Sequence, residues 1–176
     1  MQTNFFDPTI GTDVGPSVFF ANITPTPVAS IPRTGVAMFS GPAAFQGAGG
    51  GSLSDGRFDI DDFTVSFDLD FTNGEIRDGF LFASYTGVEE SVNWSAQFDG
   101  FLNGAITDLS LTSLALSEGT GPPLPLDIGS SNLTGILAGP AGRCRAGAFS
   151  FQLGDSEVGL IESVEGLWVI DGIFDD

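Results

Sequence analysis

The sequence predicts an all-β protein, an eight-stranded antiparallel up-and-down β-barrel with an irregular N-terminal lead-in. Three observations predict it. Short runs alternate apolar with polar residues at period two, Gly, Asn, Asp and Pro punctuate those runs, and no window carries a convincing 3.6-residue period. The composition agrees, since 25 Gly, 10 Pro and 17 Phe in 176 residues suit turns and pleated surfaces. A chain of this length builds one domain with a sizeable core. Residues 34–176 are assigned to the barrel and 1–33 to the extension.

The extension, MQTNFFDPTIGTDVGPSVFFANITPTPVASIPR, has prolines at positions 8, 16, 25, 27 and 32. Proline has no N–H to give a ladder, so the segment reads as a lead-in with short edge strands around Ser17 to Asn22 and at Phe5–Phe6. From Thr34 the pattern changes. TGVAMFSG is the first strand, and GAGGGSLSDGR reads as a flexible Gly-rich connector. In FTVSFDLDF, Phe63, Val65, Phe67, Leu69 and Phe71 alternate with Thr, Ser, Asp and Asp. Asn73-Gly74 then offers the φ > 0 pair of a tight hairpin, and GFLFASY runs back.

In VNWSAQFDG, Trp94, Ala96 and Phe98 share one face and Asn93, Ser95, Gln97 and Asp99 the other. ITDLSLTSLAL places leucines at 109 and 111 and then at 114 and 116. That change of parity predicts a bulge near Thr112 or Ser113. A proline-rich loop, EGTGPPLPL, leads to SSNLTGILAG, and AGAFSFQLG and SVEGLWVID complete eight candidate strands. A meander of this size closes readily because closure removes exposed edges; a two-sheet sandwich is the alternative topology.

Alternation alone leaves the direction of the apolar face open, because a small transmembrane barrel alternates too. A strand that spans a bilayer needs about 9–11 residues, and only Phe63 to Thr72 reaches that cleanly. The last strand carries Trp168 and Ile170 on one face and Leu167 and Val169 on the other, which a polar lumen would not hold. The expectation is therefore an apolar interior. No N-terminal signal and no apolar run long enough for a spanning helix is visible.

Charge narrows the function. Five Arg, no Lys and no His stand against 23 acidic residues, a formal charge of -18. Phosphate backbones are excluded as partners, because their binding rests on Lys and Arg displacing counterions. The charge fits a chain adapted to salty surroundings, or a basic partner surface. Without His there is no Ser-His-Asp relay and no His-based zinc site, and without Lys no phosphate-binding GxxxxGK loop.

Carboxylates are the remaining chemistry. Asp68 and Asp70 share a strand face, as a glycosidase pair would, but that face points to water if the odd positions point inward. Asp55, Asp59, Asp61 and Asp62 in DGRFDIDDF are dense enough to be candidate Ca²⁺ ligands, without the spacing of an EF-hand loop. No other cofactor is expected. Cys144 has no cysteine to pair with. Its Arg neighbours would lower its pKa, yet no His is present to serve as its base. Sequons at Asn22, Asn93 and Asn132 matter only in a eukaryotic secretory setting.

From Pro32, IPRTGVAMFSG resembles the Pro-x-x-Gly-x-Ala-x-aromatic-x-Gly opening strand of the transferrin-binding-protein-B-like β-barrels, and of the related barrel at the C-terminus of many FecR-domain proteins of Gram-negative bacteria. VSFDLDFTNGEI is similar to the family's Phe strand with its Asn-Gly turn, and VNWSAQFDG to its Trp-bearing strand. LTGILAGPAGRCRAGAFSFQL is similar to its closing hairpin, with Gly142 where the pattern has Ala and Ala146 where it has the first Gly of a pair. The resemblance covers about Pro32 to Ile170.

It implies an eight-stranded, non-enzymatic barrel at the cell envelope or secreted from a Gram-negative bacterium. Such a barrel binds a protein partner at the cell surface, or other domains of a larger chain. The sequence departs from the pattern in showing no lipoprotein cysteine near its start, no second lobe, no FecR domain and no His or Lys, so no binding residue carries over. The expected function is a binding or scaffold module with contacts on loops 41–57, 87–91 and 117–130. A small outer-membrane barrel and a carboxylate-dependent hydrolase are the alternatives.

Overall fold

Alternating apolar and polar residues force every other side chain to one face of a strand. In the computed structural model, which describes residues 21–155 and 160–174, that face closes on itself. The strands are β1 (Val36–Phe39), β2 (Ala44–Gly51), β3 (Gly56–Asp59), β4 (Asp62–Asp70), β5 (Glu75–Thr86), β6 (Ser91–Asn103), β7 (Ile106–Glu118), β8 (Leu124–Pro125), β9 (Asn132–Ala138), β10 (Cys144–Asp155) and β11 (Leu160–Phe174). All pairings are antiparallel. The order β1-β4-β5-β6-β7-β9-β10-β11 is closed by β1 against β11, with Ala37, Met38 and Phe39 opposite Phe174, Ile173 and Gly172. This is an eight-stranded barrel, and a two-sheet sandwich does not describe it.

Two of its staves are broken. β1 and β2 both lie along β11, and β3 pairs β2 as β4 pairs β1. GAGGG is therefore wall and not connector: Gly47 to Gly51 pair with Glu162 to Gly166. Glycine weakens a strand interior unless something else fills the space, and here a Cβ on Gly49 would stand 2.0 Å from the Tyr85 ring. The glycines let Tyr85 lie flat on the wall.

The interior is apolar. Phe63, Val65, Phe67, Leu69 and Phe71 are buried, and so are Trp94, Ala96, Phe98, Leu114, Leu116, Phe149, Phe151 and Trp168. At about 25 cal/mol per Å² this burial is the main term holding the barrel. Thr64, Gln97 and Asp99 are exposed on the outer wall, and Ser66, Asp68, Asn93 and Ser95 partly so. A lipid-facing wall carries an apolar band instead.

Two bulges keep the apolar set inward. Gln97 faces Ser113 and Phe98 faces Leu111, which leaves Thr112 as the extra residue where the leucine parity changes. A second falls at Asp78, in the left-handed region at φ 54°, between Ile76 and Gly79, which are both buried. The Asn73-Gly74 hairpin is looser than a two-residue turn. Asp70 pairs Glu75, leaving a four-residue loop closed by Gly74 N–H donating to Asp70 O, and only Gly74 has positive φ. Asn73 acts through its side chain, accepting from the Glu75 amide at 2.9 Å.

The turns gather at two rims. The upper rim holds 52–55, 87–90 and 119–131, and the lower rim 71–74, 104–105 and 139–143. Of the lead-in, the described part joins the lower rim. Thr26 N–H donates to Leu137 O, its hydroxyl donates to Gly139 O, and Pro25 bridges Ala138. The edge strands expected at Phe5–Phe6 and Ser17–Asn22 lie almost wholly outside the described residues.

Candidate functional site

Three segments far apart in sequence meet at the upper rim, and a buried carboxylate organises them. Glu162 stands on β11 at the register that sends Val164 and Trp168 inward, and it is 0% exposed. A buried carboxylate is stable only where donors surround it. Tyr85 O–H donates to its Oε1 at 2.6 Å and Ser54 O–H to the same oxygen at 2.7 Å. The Leu53 amide donates to Oε2 at 2.8 Å. Trp94 Nε1–H in turn donates to Tyr85 Oη at 3.4 Å. Burial, and then the bond to Glu162, raise the Tyr85 hydroxyl well above its usual pKa.

The turn at 52–55 is thus latched into the barrel mouth. The Val88 amide donates to Ser54 O, tying in the second loop, and the Gly119 amide donates to Ser91 O, tying in the third. Leu53, Leu116, Leu124, Leu126 and Leu153 line a cavity of about 450 Å³ there, with Glu90 and Glu118 among its walls. β8 folds back on β7, Leu124 opposite Leu116, so the proline-rich loop forms one side of it. The arrangement offers apolar contact area beside two carboxylates, Glu90 and Glu118.

The acidic residues singled out in the sequence are scattered. Asp55 holds the turn at φ 53°. Asp59 closes β3, and Asp62 opens β4 opposite Ser84. Asp61 accepts from the Thr86 amide and hydroxyl, each at 2.8 Å. Among the described residues, no group of three or more Asp, Glu or Cys is placed to hold a metal ion. Asp68 and Asp70 sit on the outer wall. The Thr72 amide, donating to Asp70 at 2.8 Å, is the main cause of its lowered pKa.

Cys144 reverses the expectation from its Arg neighbours. Its S–H donates to Asp171 Oδ1 at 2.9 Å, and that bond, with burial, pushes the thiol up to about 11. A thiol of this kind is a poor nucleophile at neutral pH. Its reaction with a disulfide probe is expected to have its half-maximal rate near pH 11, and Asp171→Asn to move that midpoint down toward the ordinary thiol value of about 8.5. An unmoved midpoint would remove Asp171 as the cause.

Sequence reasoning passed over Glu162, Tyr85 and Arg145, and parity could have found them. Glu162 shares a face with Val164, Trp168 and Ile170; Tyr85 with Leu81 and Ala83; Arg145 with Phe149 and Phe151. A polar residue in phase with a buried row is a buried polar residue.

No protein-family model matches the chain, and no curated protein matches it. Among solved structures it is similar to transferrin binding protein B of Haemophilus parasuis Hp5. A double mutant matches at TM-score 0.48 and 14% identity over 84% of this chain. A single mutant of the same protein matches at 0.47 and 13% over 84%. Intact Ap-TbpB, with N and C lobes, matches at 0.44 and 12% over 86%. The chain spans 28% of the length of the first two and 29% of the third.

Proposed function

We propose that the chain is a non-enzymatic binding or scaffold module of a bacterial cell-envelope or secreted protein, contacting a protein partner through its upper rim. The observation that carries this reading is the convergence of loops 52–55, 87–90 and 119–131 on one leucine-lined cavity walled in part by Glu90 and Glu118. The chemistry that fits is an apolar side chain flanked by Lys or Arg. Apolar contact supplies affinity, a net charge of -18 attracts a basic surface at long range, and Glu90 and Glu118 offer it partners at the cavity. The partner is a protein at the cell surface or another domain of a larger chain, which the motif resemblance over Pro32 to Ile170 also implies.

The alternatives have less support. A hydrolase needs two carboxylates facing a substrate, and Glu162 is the one buried carboxylate among the described residues, with its oxygens already taken by four donors. An outer-membrane barrel has its apolar side chains outward, against the inward Phe and Trp rows here.

Leu124 is 60% exposed, so Leu124→Asp combined with Glu118→Arg is expected to leave the thermal midpoint within a few degrees of wild type. The same double variant is expected to abolish capture of the partner from envelope extracts, while Thr64→Arg on the outer wall has no effect. Undiminished capture by the double variant would defeat the rim assignment.

A further inference from the structure

Near the lower rim the barrel holds a cation to which no acidic side chain among the described residues is paired. Arg145 is 0% exposed, and its guanidinium carbon lies 5.0 Å over the Phe67 ring. Nε, Nη1 and Nη2 are all buried without an acceptor among the described residues. Across from it Thr107 Oγ1, on β7, is likewise buried and unpartnered. Gly135 on β9 lies between them: a Cβ placed there would stand 2.7 Å from Thr107 Oγ1 and 3.4 Å from Arg145 Nε. Trp168 Nε1 is a further buried donor without an acceptor, and its ring shares Phe67 with the guanidinium.

We propose that the niche bounded by Arg145, Thr107 and Gly135 binds a small monovalent anion of halide size. Guanidinium has five N–H groups and no acceptor, so donors outnumber the other polar atoms of the niche, the Thr107 hydroxyl and the Ala146 carbonyl, which a Cβ on Gly135 would meet at 3.4 Å. A water molecule accepts at most two of these bonds, must then donate two of its own, and brings no charge. A halide accepts from every side and neutralises the guanidinium, the condition under which a buried charge is tolerated. The Phe67 face offsets part of the charge and satisfies no N–H.

The niche stands at the end of a short ladder. β7 and β9 pair only at Ile106 with Ile136 and Thr107 with Gly135. Beyond Thr107 no further ladder pair joins these two strands, up to the point where the Leu126 amide donates to Leu114 O. The niche lies at the edge of this seam. The surrounding charge of -18 repels anions at long range, so the site fills at high salt, where the screening length falls to about 3 Å at 1 M.

The test exchanges sodium gluconate for sodium chloride at constant 1 M ionic strength and follows thermal unfolding. Wild type is expected to gain roughly 3 °C in chloride, the shift given by a ligand at about ten times its Kd in a chain of this length. Arg145→Met and Thr107→Val are each expected to lose that gain. A bromide-soaked wild-type crystal is expected to show an anomalous peak between Arg145 and Thr107. Equal midpoints in the two salts, a chloride gain that survives both substitutions, or only water at the bromide position would each overturn the assignment. Where Arg145→Met does not fold, Thr107→Val and the wild-type crystal decide.

Discussion

Phe67→Ala is expected to lower folding stability by about 3–5 kcal/mol, the range for truncating a buried aromatic residue. Phe67 is the residue on which the two halves of the lumen meet. Its ring stacks on Phe39 at 4.7 Å between centroids, meets Phe98 at 6.0 Å and receives the edge of Trp168 at 6.3 Å. Each such pair adds about 0.5–1.5 kcal/mol beyond area burial. The Arg145 guanidinium also lies over this ring, so truncation removes an attractive contact of a buried cation. Against a total stability of about 5–15 kcal/mol the loss is a large share. Urea unfolding reads it as a lower midpoint at unchanged slope. Phe80→Ala, on the outer wall at 38% exposure, is the control, with an expected cost below about 1 kcal/mol. If the two substitutions cost the same, the aromatic interior is not what holds the barrel.

Most of the barrel could be read in the residues, because period-two alternation is a local signal and each strand carries its own copy. Phe63 to Phe71 and Trp94 to Phe98 point inward as their alternation requires, and the broken leucine parity in β7 gives the bulge at Thr112. Gly47 to Gly51 could not be read so. A glycine run has no side-chain phase, and what makes it a strand is Tyr85 and Ile60 filling the space above it from elsewhere in the chain. The Asn73-Gly74 turn has the same lesson at smaller scale: the dipeptide marks a reversal, while loop length follows from which residues pair across it. The buried polar groups failed for a different reason. Glu162 and Arg145 look like ordinary surface charges in a chain with 23 acidic residues, and only their phase relative to Trp168 and Phe149 marks them as interior. The upper-rim cavity is a product of closure, which no local pattern records.

The second large effect belongs to the Glu162 cluster, and it has a pH signature. Glu162→Ala is expected to cost about 3–5 kcal/mol, because Tyr85 O–H, Ser54 O–H and the Leu53 amide lose their acceptor together, at about 1–3 kcal/mol for each group left unsatisfied, some of which water entering from the rim recovers. Glu162→Gln keeps one oxygen and the shape. With its carbonyl toward Leu53 and its amide toward Tyr85 and Ser54 it is expected to cost less than half as much. Tyr85 makes the same cluster sensitive to alkali. Its folded pKa is raised above the ordinary value of about 10, so the unfolded chain releases this proton first as pH rises. The contribution is complete below pH 10 and is lost above it, at about 1.4 kcal/mol per pH unit. Tyr85 is the only tyrosine in the sequence, so no other phenol confuses the measurement. The raised Cys144 acts in the same direction and the lowered Arg145 in the opposite one, and both cancel in the difference between wild type and Tyr85→Phe. That difference is expected to be constant from pH 7 to 9 and to shrink above pH 10. A constant difference up to pH 11.5 would mean that the phenol titrates alike in both states, and that the Glu162 cluster is open to water.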